Sequence, residues 1–289
     1  MTYSISRRTF LAAAAALPLL PVWATEPTDF HARLQQLEGT FAGRLGVVAL
    51  NTGNGQLLSY RGDQRFPLCS TFKAMLAGAI LQRSTLTPGL LEERIRYRKS
   101  DLVAYSPISE KHLQDGMTVA ELCAATVQYS DNGAANLLMK LVDGPEGVTT
   151  FARSIGDKQF RLERWETELN TAIPGDLRDT TTPLAMAHSL NRMVLGDALQ
   201  AAQRQQLQAW LKGNTTGAAR IRAGLPTGWQ VGDKTGTGDY GTTNDVAVIW
   251  PTGKAPVVLA IYLTQDSKAA AALNEPLAAA TRIVLDWLG

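Results

Sequence analysis

Ser70 is followed by Lys73 in Ser70-Thr71-Phe72-Lys73, the chain's only Ser-x-x-Lys. On a helix, positions i and i+3 share a face, so the Lys73 amine can lie beside the Ser70 hydroxyl and manage its proton, as an activated nucleophile requires. Alone the pair is weak evidence, because a chain of this length contains roughly one such spacing by accident. Ser130-Asp131-Asn132 and then Lys234-Thr235-Gly236 follow it, each once. All three in that order arise on the order of once in a thousand random chains or fewer.

A serine at the start of an apolar helix has its hydroxyl near backbone N–H groups without helical partners, which suit a developing oxyanion. Lys73 lies among Phe72, Ala74, Met75 and Leu76; burial lowers a lysine's pKa and nearby carboxylates oppose that, so it can serve as base or as proton shuttle. An acyl-serine persists unless a water is held and deprotonated. Glu166 as base and Asn170 as the group orienting the water, four residues apart, can do both.

Rival chemistries lack their residues. Gly-x-Ser-x-Gly is absent, His31, His112 and His188 have no marked context, and neither His-Glu-x-x-His nor a Cys/His cluster with metal spacing occurs, so neither metal nor cofactor is expected. Gly236 to Gly241 matches the glycine pattern of dinucleotide-binding loops, but that fingerprint must open a helix, whereas Asp245 to Trp250 reads as strand. Gly228 to Thr235 imitates a phosphate loop, with Asp233 intruding between Gly232 and Lys234.

The elements that must position these residues fall into two styles. Glu26 to Arg44 reads as an amphipathic helix, followed by strands over Leu45 to Leu50 and Gln56 to Tyr60 around the turn-rich Asn51 to Gly55. Near the other end, Trp229 to Thr237, Asp245 to Trp250 and Val257 to Thr264 are strand-like with short turns, and Lys268 to Leu288 reads as an Ala-rich helix. Between them Phe72 to Gln82 and Val119 to Tyr129 are helical, the latter opened by a Thr118–Glu121 capping box, and Thr182-Pro183 marks a further helix start. The pattern predicts an α/β fold of the α+β type: a five-stranded antiparallel sheet flanked by N- and C-terminal helices (25–60 and 220–289), with an all-helical lobe (61–219) inserted. Ser70 and Ser130 then lie in the insert and Lys234 on the sheet, and the motifs meet at the seam, a common place for a pocket. Arg161 to Asp179 follows no period and reads as a long ordered loop carrying Glu166 and Asn170.

The chain has 289 residues, 45% hydrophobic, with a net charge of +2 and no run of like charge, which argues against nucleic acid as a partner. Arg7 and Arg8, the apolar run Phe10 to Val22 and Val22-Trp23-Ala24 read as a cleaved signal over residues 1–24. Ser6-Arg7-Arg8-Thr9-Phe10-Leu11 resembles a twin-arginine motif, implying periplasmic delivery, and no later run is apolar enough to anchor the mature chain in a membrane. Cys69 and Cys123, the only cysteines, are expected to stay unpaired, since a bridge beside Ser70 would constrain the site.

With Ser70 to Lys73, Ser130-Asp131-Asn132, Glu166 to Asn170 and Lys234-Thr235-Gly236 assembled, the chain resembles a class A serine β-lactamase, for which three of these motifs are a known signature. Asn170 to Asp176 and Thr242 to Trp250 look closest to the cefotaximase-type, extended-spectrum branch. The resemblance implies acylation of Ser70 by the lactam carbonyl, an oxyanion hole from the backbone N–H groups of Ser70 and Thr237, and proton relay through Ser130 aided by Lys73 and Lys234. It places Asn132 on the substrate's side-chain amide and Lys234, Thr235, Gly236 and Thr237 on its carboxylate. Tyr105 would wall the site, and Arg164 with Asp179 would clamp the loop. It further implies a monomer acting on penicillins, cephalosporins and mechanism-based inhibitors. Two departures stand out. Thr167 occupies a position that is often proline after a cis bond, and the bond is expected to stay cis. Thr243 stands where many members carry an arginine that assists Lys234, and Arg220 is the expected substitute. The alternatives are a penicillin-binding D-alanyl-D-alanine carboxypeptidase or transpeptidase, which shares the Ser70–Lys73, Ser130-Asp131-Asn132 and Lys234-Thr235-Gly236 motifs, and a non-catalytic β-lactam receptor; Glu166 with Asn170 separates the hydrolase from both.

Overall fold

The structure, a computed structural model, describes Met1 and residues 29–289, so the signal expected over residues 1–24 lies, Met1 apart, outside the described residues. Five strands form one antiparallel sheet: β1 (Gly43–Asn51), β2 (Leu57–Tyr60), β3 (Gln230–Gly238), β4 (Thr242–Trp250) and β5 (Val257–Gln265), in the order β2-β1-β5-β4-β3. Register is set by long-range pairs such as Val47 opposite Ile261 and Asp245 opposite Thr235. β3, which carries Lys234-Thr235-Gly236, is an edge strand, so one side of its backbone is left for the cleft.

Both faces of the sheet are covered, which is why its strands are almost continuously apolar. Val48, Val246, Val248, Ala260 and Tyr262 point into one core with the inserted helices. The alternate residues Val47, Ala49, Ala247, Ile249 and Ile261 point into the other, against α1 (Phe30–Glu38) and the C-terminal helix. The helices that follow β2 are α2 (Phe72–Leu86), α3 (Val119–Gln128), α4 (Asn132–Lys140), α5 (Gly144–Ser154), α6 (Pro183–Val194), α7 (Ala201–Lys212) and the single turn α8 (Ile221–Gly224); α9 (Glu275–Leu288) closes the chain. α2 is the centre of the helical layer: every residue from Phe72 to Leu81 is buried, as expected of a helix apolar all round. The capping box of α3 forms, with Thr118 Oγ1 accepting from Glu121 N at 3.1 Å and Glu121 Oε2 from Thr118 N at 2.7 Å. Thr182 likewise caps α6.

The terminal helices are shorter than their patterns. α1 stops at Glu38, where Gly39 N–H caps Gln35 O, because residues from Gly43 onward are already drawn into β1. At Gly43 a Cβ would lie 2.2 Å from Thr264 O, so that strand approach requires glycine. The Ala-rich stretch after Lys268 is not helical until Glu275. Its backbone is taken up across the sheet end instead, with Lys268 O accepting from Tyr240 N and Leu273 N donating to Thr243 Oγ1, both at 3.1 Å. Tertiary hydrogen bonds outweigh local propensity there.

Candidate active site

Cys69, at φ +42°, turns the chain sharply into a 3-10 turn, Cys69–Thr71, that runs on into α2. Ser70 therefore precedes the α-helix by two residues and Lys73 lies within its first turn. The turn is pinned from two sides. Leu68 N–H donates to Asp179 O at 2.8 Å on the long loop, and Asn244 Nδ2 of β4 donates to Pro67 O at 2.8 Å. Gly236 and Gly238 let β3 close on it: a Cβ at Gly236 would meet Leu68 O at 2.9 Å, and one at Gly238 would meet Asn170 O at 2.6 Å and Cys69 Sγ at 2.7 Å.

Lys73 is fully buried, and its Nζ lies 3.0 Å from Ser70 Oγ, 2.8 Å from Ser130 O, 2.5 Å from Asn132 Oδ1 and 2.9 Å from Glu166 Oε1. That exceeds the three protons of an ammonium, so the acceptors compete. Burial pushes the Lys73 amine toward its neutral form, while the Glu166 carboxylate and, less, Asp131 hold it charged. Lys234, also fully buried, donates to Ser130 Oγ at 3.0 Å and to Thr235 O at 2.8 Å. Burial and repulsion from Lys73 drive its amine well below the usual lysine range. The Ser130 hydroxyl thus sits between two lysines, 3.0 Å from Lys234 Nζ and 3.4 Å from Lys73 Nζ, on a backbone held at φ +58°.

Asp131 fastens this corner. Its carboxylate caps α4 through Ala134 N at 2.8 Å and accepts from Ile108 N, Ser109 N and Ser109 Oγ at 2.8–2.9 Å. Asn132 gives one amide proton to Ala104 O at 2.9 Å and keeps a second for a ligand. Tyr105, 60% exposed, stands at the cleft's mouth.

The long loop is ordered as expected. Arg164 Nε meets Asp179 Oδ2 at 2.5 Å, and Asp179 Oδ1 accepts from the backbone N–H groups of Glu163 and Arg164 at 2.7 and 2.9 Å. The Glu166–Thr167 peptide is cis. Glu166 Oε1 lies 3.3 Å from Ser70 Oγ, and Asn170 Nδ2 donates to Glu166 Oε2 at 2.6 Å. Asn170 Oδ1 is buried with no hydrogen-bond partner among the described residues.

Arg220 is buried beside β3, at the edge of the cleft. Its guanidinium donates to Gly236 O at 2.8 Å, Asn244 O at 2.7 Å and Thr237 Oγ1 at 2.7 Å. It positions the strand and the Thr237 hydroxyl. Both cysteines are free and buried, and burial pushes their thiols up, so neither is a nucleophile.

Sequence reasoning missed several residues that the fold brings in. Asn136 clasps the backbone of Glu166 from both sides, accepting from its N–H at 3.0 Å and donating to its C=O at 2.9 Å. The available signal was an amide one turn after Asn132, in an otherwise apolar helix. Thr216, which lines the cleft, shares a hydrogen bond with Thr235 at 2.5 Å. The cleft has a volume of about 430 Å³ and is lined by Ser70, Tyr105, Ser130, Asn132, Asn170, Thr216, Arg220 and the β3 residues Thr235 to Thr237. All three motifs and the loop therefore open on one cavity between sheet and helices. Among the described residues no group of three His, Cys, Asp or Glu side chains could hold a metal, and no helix is long and apolar enough to cross a membrane.

A family model described as the Beta-lactamase enzyme family matches residues 29–288. Beta-lactamase OXY-1 of Klebsiella oxytoca is 56% identical, over 100% of both chains. The Carbapenem-hydrolyzing beta-lactamase KPC of Klebsiella oxytoca is 56% identical, covering 99% of this chain and 98% of its own. Beta-lactamase Toho-1 of Escherichia coli is 55% identical over 98% of each. The crystal structure of a beta-lactamase from Desulfarculus baarsii superposes with a TM-score of 0.90 at 59% identity, covering 91% of this chain and 98% of that one.

Proposed function

The chain belongs to the β-lactamase enzyme family, as a class A serine enzyme that hydrolyses β-lactams and so confers resistance to them, and on that premise we propose how its residues share the work. Ser70 Oγ attacks the lactam carbonyl and gives its proton to the Lys73–Glu166 pair. Charge developing on the carbonyl oxygen is met by the backbone N–H groups of Ser70 and Thr237. As the ring C–N bond breaks, the nitrogen takes the proton of Ser130, which Lys73 and Lys234 flank and resupply. Asn132 holds the substrate's side-chain amide; Lys234, Thr235 and Thr237 hold its carboxylate, with Arg220 steadying Thr237; Tyr105 walls the cleft.

Deacylation then falls to Glu166 and Asn170. Asn170 Oδ1 orients a water, Glu166 takes its proton, and the resulting nucleophile attacks the acyl ester and releases Ser70. The observation that carries this reading is Glu166 itself, anchored by Asn170 and Asn136 with one carboxylate oxygen directed at both Ser70 and Lys73. A penicillin-binding transpeptidase needs the three motifs but no such base. The test pairs β-lactam turnover by the wild type with mass spectrometry of Glu166→Ala after exposure to drug. Turnover in the first and a Ser70 adduct in the second are expected; a long-lived adduct on wild type would transfer the protein to the transpeptidase class.

The finer reading extends to substrates and location. The cefotaximase-like stretches support activity on oxyimino-cephalosporins and acylation by mechanism-based inhibitors. Residues 1–24, read as a twin-arginine signal, would deliver the folded chain to the periplasm, where it acts as a monomer.

A further inference from the structure

Thr235 is assigned above to the substrate carboxylate, yet the hydrogen bonds behind it turn its proton the other way. The polarity of the network follows from one fixed donor. The backbone N–H of Thr216 lies 3.0 Å from an amide atom of Asn214, and since an N–H can only donate, that atom is the carbonyl oxygen Oδ1. The amide's other end, Nδ2, donates to Asp233 Oδ2 at 2.7 Å, and Asp233's remaining oxygen is held by Arg222 Nε at 2.7 Å. Asn214 and Asp233 are both buried, so neither reorients freely.

Thr216 Oγ1 also lies 2.8 Å from Asn214 Oδ1. The amide oxygen has no proton to give, so the Thr216 hydroxyl must donate there and its single proton is committed. At the next contact, 2.5 Å between Thr216 Oγ1 and Thr235 Oγ1, Thr235 is left as the donor. In this arrangement Thr235 therefore aims its proton at Thr216 and presents lone pairs to the space a carboxylate would fill. Two sets of lone pairs repel.

We propose that Thr216 is a positioning residue that sets the direction of the Thr235 hydroxyl, and that binding of a substrate carboxylate reverses this two-hydroxyl relay. When Thr235 turns to donate to the carboxylate, Thr216 rotates to donate to Thr235. Asn214 Oδ1 then keeps only the Thr216 N–H. The reversal exchanges one side-chain hydrogen bond for another, so the relay lowers affinity for carboxylate-bearing substrates relative to a Thr235 with no such commitment. The inference rests on reading the cleft as a β-lactam site with its carboxylate at Thr235.

The test is steady-state kinetics with a penicillin on Thr216→Val, which removes the acceptor while keeping the shape. KM is expected to fall about threefold to tenfold, the range of one neutral hydrogen bond, with kcat unchanged. Thr216→Ser, which restores the hydroxyl, should return KM to the wild-type value, and in a Thr235→Val background the Thr216→Val change should leave KM where it is. A KM that rises or stays constant in Thr216→Val, or a fall that persists without the Thr235 hydroxyl, overturns the proposal. Thr216→Ala gives the same readout if valine impairs folding. Absence of turnover in the wild type would instead refute the β-lactam reading, and is distinguishable for that reason.

Discussion

Glu166 Oε1 lies 2.9 Å from Lys73 Nζ, and both side chains are fully shielded from solvent. Two buried charges cost desolvation that only their mutual attraction and further hydrogen bonds offset. The pair is in contact with Ser70, whose Oγ is 3.0 Å from Lys73 Nζ and 3.3 Å from Glu166 Oε1, so either partner is within reach of its proton. In the proposed mechanism Lys73 and Glu166 act on the nucleophile as one unit.

Removing one member tests that unity. In Glu166→Ala, deacylation is expected to slow at least about 100-fold, the lower range for a lost general base. The Lys73 amine, stripped of the charge that holds it protonated, should titrate lower than in wild type. Labelled-lysine NMR titration reads this directly; a higher Lys73 pKa in the variant would contradict the pairing.

Asn136 is predicted to matter as much as a residue that touches the reacting atoms. Asn136→Leu leaves the Glu166 N–H and C=O without their side-chain partner, at about 1–3 kcal/mol for each buried group left unpaired. Thermal unfolding should show the loss, and single-turnover kinetics should show acylation preserved with deacylation slowed. Equal slowing of both steps would mean that Asn136 supports more than the Glu166 backbone.

Asp179 is 1% exposed and bonds Arg164 together with two backbone N–H groups. Breaking such a buried pair costs about 3–5 kcal/mol. Asp179→Ala should therefore raise hydrogen exchange across residues 163–179 while β5 stays protected. Unchanged exchange in the loop would remove the clamp from the account.

Arg220→Ala is expected to raise KM for carboxylate-bearing substrates by about tenfold, one charge-assisted hydrogen bond's worth. Three of its bonds hold Gly236, Thr237 and Asn244 in a forked pattern. A lysine there lacks the planar fork, so Arg220→Lys should recover little. Wild-type kinetics in the alanine variant would sink the role.

The buried carboxyl of Asp245 sets a pH dependence. Burial and the neighbouring Asp233 raise its pKa well above the ordinary 3.8, and its Oδ1 has no partner among the described residues. A raised folded pKa stabilises fully below the unfolded value, and that contribution is lost as pH rises through the folded one. Stability should thus decline as pH rises above 3.8 and through the raised pKa of Asp245, and Asp245→Asn should flatten the decline in denaturant titrations. A decline equally steep in the variant would assign it to another group.

Much of this was legible in the residue order because it depends on local pattern. Short β-rich runs bounded by turn residues placed the strands and the Thr118–Glu121 box opened α3, since each answers to neighbours a few residues away. The ends of the terminal helices were not legible: Gly43 and Lys268 are taken by partners on β5 and at Tyr240, far off in the chain. Asn136 and Thr216 escaped for the same reason, because an amide or a hydroxyl acquires meaning only from what the fold sets opposite it.

By itself, then, the sequence nominated Ser70 as nucleophile, Lys73 as its partner, Ser130 as relay and Glu166 as hydrolytic base, and it set their order, since these proposals rest on side-chain chemistry and spacing. Only the tertiary structure decided that one carboxylate oxygen faces both Ser70 and Lys73, that Arg220 donates to the Thr237 hydroxyl, and that the Thr235 hydroxyl meets that of Thr216. Those are properties of distance and direction between residues remote in the chain, and a hydrogen bond exists only where packing brings donor and acceptor to about 3 Å.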